Sequence, residues 1–169
     1  GSSLFGAQLA AALGLPYGFA SHFAPEALGQ AVSLYRANFQ PSQQLAQPYV
    51  MLGVNVIGAQ SDAESTKTFT SLQQQFVNLF RRAPGQLQPP IESIDNYCSP
   101  AEKAGVARAL KYTFVGTEAS IKNGLAEFVA EFQPDELMIG GQISDHQARL
   151  DSFEIAANVC RQLDAAQAA

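Results

Sequence analysis

Residues 49–57 have the sequence YVMLGVNVI, a nearly unbroken apolar run in which apolar and polar side chains do not alternate. Such a run indicates a strand buried on both faces, which is typical of a parallel sheet covered by helices. Two shorter segments are also apolar: 16–20, PYGFA, and 136–140, ELMIG. We therefore predict three parallel strands at 16–20, 50–57 and 136–140.

Segments with helical periodicity separate these strands. An Ala-rich helix is predicted at 4–13 and ends at Gly14, since Ala favours helix and Gly terminates it. Apolar residues at i, i+3 and i+4 spacing predict further helices at about 25–38, 62–82, 100–111, 118–132 and 145–164. Three pairs have the spacing of a capping box, namely Ser61 with Glu64, Ser99 with Glu102, and Ser144 with Gln147. Residues 113–115 could form a further short extended stretch.

The composition excludes several classes of protein. The 169 residues are 47% apolar and 15% charged, with a net charge of -5, which is enough for one domain with a core. The acidic balance argues against nucleic-acid binding, which needs clustered Lys and Arg. No apolar run reaches the roughly 18 residues of a membrane span. Cys98 and Cys160 lie far apart, so we expect reduced thiols in a cytoplasmic protein.

Strands that alternate with helices predict an α/β fold with a parallel sheet and right-handed crossovers. A (β/α)8 barrel needs eight strands and about 250 residues, and only three strands are convincing here. The pattern therefore suggests the last part of a larger fold.

The chain resembles the luciferase-like flavin-dependent monooxygenases. The resemblance is carried by GSSLFGAQLAAALGLPYGFASHFAPEAL at 1–28, YVMLGVNVIGAQSDAE at 49–64, FVGTEASIKNGLAEF at 114–128 and PDELMIGGQISDHQARLDSFEIAANV at 134–159. It implies that residues 1–169 are the C-terminal half of a (β/α)8 TIM barrel, about strands six to eight with their helices, and that the N-terminal half is absent.

The resemblance also implies a function. Family members use reduced FMN and O2 to oxidise aldehydes, alkanes, sulfonates or other small organic molecules. A flavin reductase could supply the reduced FMN, and the full-length enzyme is expected to be a homodimer. The isolated half is expected to be inactive and to bind FMN weakly. It is also expected either to self-associate, to pair with a separate N-terminal chain or to be poorly stable. Two alternatives stay open: a non-catalytic flavin-binding relative, and an oxidoreductase that uses the deazaflavin F420.

Gly1, Ser2 and Ser3 precede the first predicted helix. A helix N-terminus offers free N–H groups to an anion, and serine hydroxyls add further donors. By the resemblance, this segment binds the flavin phosphate. The alternatives are a simple helix cap or an expression-vector remnant, and the resemblance favours native sequence.

Residues 19–23, FASHF, end a predicted strand and enter the following loop, which is the catalytic face of a barrel. By the resemblance, this position lies near the flavin and the substrate. Ala20 and Ser21 are therefore expected to contact the flavin, His22 to be a hydrogen-bonding or acid–base residue, and Phe19 and Phe23 to line the substrate pocket or the core. The alternative is that Ser21 and His22 only cap the next helix and satisfy local backbone groups.

Gln142, Asp145 and His146 follow the last predicted strand, at the same face. Gln142 is predicted to line the substrate pocket. Asp145 and His146 could form a carboxylate–imidazole pair, but neighbouring helical residues point in different directions, which favours a helix-start role for both. No metal site is predicted, because the two histidines lie far apart in sequence and no cysteine cluster accompanies them.

Overall fold

A computed structural model describes residues 1–167, so that residues 168 and 169 of the predicted domain lie outside the described part. The helices are α1 (Leu4–Leu13), α2 (Leu28–Asn38), α3 (Asp62–Phe80), α4 (Pro100–Ala109), α5 (Glu118–Phe132) and α6 (His146–Gln167). The strands are β1 (Tyr17–Phe19), β2 (Val50–Gly58), β3 (Thr113–Gly116) and β4 (Glu136–Gly140), and a short 3-10 helix spans Ile94–Asn96.

The central strand β2 pairs in parallel with each of the other three strands. Leu52 lies between Phe19 of β1 and Leu137 of β4. Asn55 lies between Thr113 of β3 and Gly140 of β4. It follows that β4 runs along one edge of β2, while β1 and then β3 occupy the other edge. The three predicted strands and their parallel direction are confirmed, and the stretch at 113–115 is a fourth strand.

Several helix ends differ from the prediction: α2 begins at Leu28, three residues after its predicted start, and α3 and α4 each end two residues early, at Phe80 and Ala109. The Ser99–Glu102 capping box is present in full, with Pro100 at the start of α4. Ser61 accepts a hydrogen bond from the Glu64 N–H, which is half of the predicted box. The predicted box at Ser144 is wrong. The helix begins one residue later than predicted, and it is the Asp145 carboxylate that accepts from the Ala148 N–H at 2.8 Å.

Helices cover one face of the sheet. Side chains alternate between the two faces of a strand, and Val50, Leu52, Val54 and Val56 point into the main core. That core also contains buried residues of α1, α2, α5 and α6, and a second, smaller cluster joins α3 to α4. The opposite face of the sheet carries Met51, Gly53, Asn55 and Ile57 of β2, and Met138 of β4. Helices leave this face uncovered at Met138, whereas Asn55 and Ile57 are buried.

Apolar side chains remain exposed on α1 and β4. Phe5, Leu9 and Leu13 recur every four residues along α1 and are 71%, 48% and 54% exposed. Met138 on the uncovered face of the sheet is 56% exposed. In residues 1–167 no helix combines the length and the apolar character that crossing a membrane requires.

Candidate functional site

The site forms where the N-terminal segment meets the end of β1. The Ala20 N–H donates to the Gly1 carbonyl oxygen at 2.8 Å, and the Gly1 amino group donates to the Gly18 carbonyl oxygen at 2.6 Å. The Tyr17 hydroxyl contacts the Ser3 carbonyl oxygen at 3.4 Å. Burial raises the pKa of Tyr17 to about 12, which keeps its hydroxyl protonated as a donor. These contacts hold residues 1–3 beside the C-terminal end of β1.

A cleft of about 200 Å3 opens beside this junction on the uncovered face of the sheet. Its walls come from the N-terminus, β1, the turn after β1, β2 and β4, and its lining residues are Gly1, Gly18, Phe19, Ala20, His22, Met51, Gly53 and Met138. Three glycines and two methionines make the cleft smooth and apolar. His22 is the titratable side chain among its lining residues.

The turn that carries His22 is tied to β2 by two hydrogen bonds. The buried Ser21 Oγ donates to the Gly53 carbonyl oxygen at 2.6 Å. The Asn55 Nδ2 donates to the His22 carbonyl oxygen at 2.7 Å. Partial burial lowers the pKa of His22, because a charged imidazole is poorly solvated there. The ring is therefore neutral at pH 7 and can accept a proton or donate a hydrogen bond into the cleft.

Ser2 and Ser3 are exposed at the start of α1. Ser3 occupies the N-cap position, but its hydroxyl makes no capping hydrogen bond, so it remains available as a donor. Ser2 borders a second cavity, of about 540 Å3, which Phe23 and Arg108 of α4 also line. Hydroxyls, free helix N–H groups and a guanidinium form a donor set that suits a phosphate.

Several predicted site residues lie elsewhere than expected. Ser21 is fully buried and bonded to β2, so its side chain holds the turn and does not face the cleft. Phe19 borders the cleft, but its ring is buried in the main core. Phe23 is half-exposed at the second cavity, with its ring 5.0 Å from that of His22. Gln142 is exposed beyond the end of β4 and is not among the residues that line the cleft.

The geometry decides whether Asp145 and His146 form a pair, and whether Ser21 and His22 cap the next helix. Asp145 and His146 do not pair, since the Asp145 carboxylate caps α6 and the His146 Nδ1 lies 2.8 Å from Arg149 Nη2. The alternative that Ser21 and His22 cap the next helix is wrong, because α2 begins at Leu28 with Ala27 at its N-cap.

The sequence reasoning missed the contribution of β2. Gly53 and Asn55 anchor the turn, and Met51 lines the cleft together with Met138. Two signals were present. A glycine inside a strand often marks a close approach of another group, and an asparagine in an otherwise apolar strand needs hydrogen-bond partners. Among residues 1–167, no group of three or more His, Cys, Asp or Glu could hold a metal ion.

Comparisons with known proteins identify the relatives of this chain. No protein-family model matches. A luciferase-like monooxygenase of Escherichia coli K12 is 52% identical over 163 residues, which are 96% of this chain and 49% of that protein. The chain belongs to the luciferase-like monooxygenase family. The uncharacterized protein YvbT of Bacillus subtilis is 44% identical over 159 residues, 94% of this chain and 47% of that protein.

Two solved structures share the fold of this chain. The crystal structure of apo-MsnO8 matches 95% of this chain and 49% of its own chain, with a TM-score of 0.76 at 23% identity. The monooxygenase RslO1 of Streptomyces bottropensis matches 93% of this chain and 44% of its own, with a TM-score of 0.51 at 17% identity. This luciferase-like chain thus spans about half the length of the relatives that it matches.

Proposed function

We propose that this chain is the C-terminal half of a flavin-dependent monooxygenase, built on a (β/α)8 barrel, that uses reduced FMN and O2 to oxidise a small organic substrate. Two features support the proposal: the membership in the luciferase-like family, and a parallel sheet with helices on one face. The observation that carries it is the cleft at the C-terminal end of β1, beside Met51 and Gly53 of β2. The C-terminal ends of the strands are where barrel enzymes hold their active sites.

The donor set and the shape of the cleft fit a flavin. Ser2, Ser3 and the free N–H groups of α1 would hold the phosphate, and Arg108 would add a positive charge. Ala20 and Gly18 would border the ring on the smooth floor of the cleft. When bound, reduced FMN supplies the electrons that activate O2.

The chain's own residues have three roles in this proposal. Met51 and Met138 form apolar walls that exclude water from the cleft. His22, neutral because its pKa is lowered by burial, accepts a proton from the substrate or donates a hydrogen bond to it or to the ring. The exposed serines hold the phosphate and thereby fix the orientation of the ligand.

Ligand titration tests the cofactor assignment. We expect FMN to bind the 169-residue chain, weakly because the cleft is open on one side, and to bind more tightly than riboflavin, which lacks the phosphate. A double variant, Ser2→Ala with Ser3→Ala, should reduce the preference for FMN over riboflavin. Ser33→Ala, which removes an exposed serine of α2, is the matched control and should retain it. Flavin fluorescence measures all of these affinities.

The outcomes separate the alternatives. Binding of F420 in preference to FMN would favour the deazaflavin-dependent oxidoreductase. Binding of FMN by a protein of the relatives' full length, with no oxidation of an aliphatic aldehyde when NADH, O2 and a flavin reductase are supplied, would favour a non-catalytic relative. Failure of the chain to distinguish FMN from riboflavin would contradict the phosphate site.

A further inference from the structure

The imidazole of His22 lies directly over the backbone of β2. A Cβ atom added at Gly53 would be 2.5 Å from His22 Nδ1 and 3.2 Å from its Cε1. Real side chains do not tolerate such a short contact, so any residue larger than glycine at position 53 would displace the ring. The absence of a side chain at Gly53 therefore creates the space that the imidazole occupies.

Two further residues fix the backbone that carries this ring. Ser21 and Asn55 bond the turn to β2 on either side of the Cα of His22, through the Gly53 carbonyl and the His22 carbonyl. Both side chains are buried, at 0% and 4% exposure. Asn55 Nδ2 also lies 3.3 Å from Thr113 Oγ1, which orients its amide. The turn is thus fixed from β2, and the ring is held in the gap above Gly53.

We propose that Gly53, Ser21 and Asn55 are positioning residues for His22, which hold its imidazole against β2 at the edge of the cleft. This inference rests on the proposed function of the cleft, in which His22 contacts the substrate or the flavin. The two bonded side chains fix the backbone of the turn, and Gly53 determines where the ring lies. None of the three needs to touch a ligand.

The electrostatic surroundings of His22 are simple, which makes its titration a direct report of ring position. The nitrogen of Gly1 also borders the cleft, and it donates to the Gly18 carbonyl. Glu136 lies on the same face of β4 as Met138, but it accepts a hydrogen bond from the Tyr49 hydroxyl at 3.2 Å. Burial is the cause of the lowered pKa of His22, so displacement of the ring into solvent should raise that pKa.

The test is an NMR titration of the histidine ring signals. The chain has two histidines, His22 and His146, so the signals of His146 on α6 serve as an internal reference. In Gly53→Ala we expect the pKa of His22 to rise toward the ordinary value of about 6.5. The nuclear Overhauser contact between the ring of His22 and the Hα atoms of residue 53 should be lost. The signals of His146 should not change.

The matched control is Gly18→Ala, which adds a methyl group to the neighbouring strand of the same cleft. There the new Cβ would lie 3.2 Å from Met51 Cε, the mobile end of a side chain, and the pKa of His22 should stay at its wild-type value. Asn55→Ala should raise the pKa of His22 in the same direction as Gly53→Ala. An unchanged pKa and an unchanged Overhauser contact in a folded Gly53→Ala would overturn the proposal.

No flavin is needed for this titration, so its result is independent of cofactor binding. If the ring is displaced as expected and the protein still fails to bind FMN, the proposed function fails while the positioning role stands. If FMN binds and Gly53→Ala leaves His22 in place, the positioning role fails alone.

Discussion

Asn55→Ala should destabilise the protein by an amount that can be derived from its contacts. The substitution removes the 2.7 Å hydrogen bond to the His22 carbonyl and the weaker 3.3 Å contact to Thr113. Removing the donor to a partly buried carbonyl costs about 1 to 3 kcal/mol, a figure that already includes the lost hydrogen bond. We therefore expect the free energy of unfolding to fall by about 2 kcal/mol.

Urea unfolding followed by circular dichroism measures this loss. With a slope of about 2 kcal/mol per molar urea for a small protein, the midpoint should fall by about 1 M. Thr113→Val is the matched control, because it removes only the longer contact, and it should cost about 0.5 kcal/mol or less. If Asn55→Ala unfolds at the wild-type urea concentration, or if Thr113→Val costs as much, Asn55 does not anchor the turn. The measurement is repeated at two protein concentrations to separate unfolding from dissociation.

Three further predictions concern charge and exposed surface. Arg108→Gln should weaken FMN binding about two- to fivefold, as expected for an exposed charge, and leave riboflavin binding unchanged; equal losses for both ligands in fluorescence titration would refute a phosphate contact. Since folding lowers the pKa of His22, the unfolded state binds the proton more readily, and this group reduces stability as the pH falls below about 6.5. His22→Gln should therefore lose less stability than wild type in urea unfolding between pH 7.5 and 5, and parallel profiles would contradict this. Leu9→Lys should lower self-association in analytical ultracentrifugation because it places a charge in the exposed apolar row of α1, whereas Gln8→Lys adds the same charge beside that row and should have little effect; equal effects would show that charge alone is responsible.

Local signals were sufficient where an element is determined by its own residues. α1 begins and ends at the predicted residues, and Gly14 ends it in a left-handed conformation with a φ of 61°. A Cβ at this position would also collide with the Gln40 carbonyl oxygen, at 2.5 Å. α5 likewise spans the predicted range of 118–132. In both helices the periodic apolar face and the terminating residue lie within one short segment.

Local signals failed where the partner is distant in sequence. β3 has four residues and becomes a strand because it pairs with the end of β2. The role predicted for Ser21 failed for the same reason, since its hydroxyl donates to a carbonyl 32 residues away. A sequence shows that such a residue is polar, but the register of the strands decides its partner.

The register of β1 against β2 is the condition on which the site depends. Phe19 is opposite Leu52, and in this register Leu52 and Val54 point toward the helices. Gly53 and Asn55 then contact the turn that carries His22. Because side chains alternate, a slip of one residue would present the side chain of Leu52 or Val54 to His22 in place of glycine. It would also turn the amide of Asn55 into the apolar core, where it could not reach the His22 carbonyl. The buried valines of β2 therefore stabilise the core and, by fixing the register, also determine where the imidazole lies.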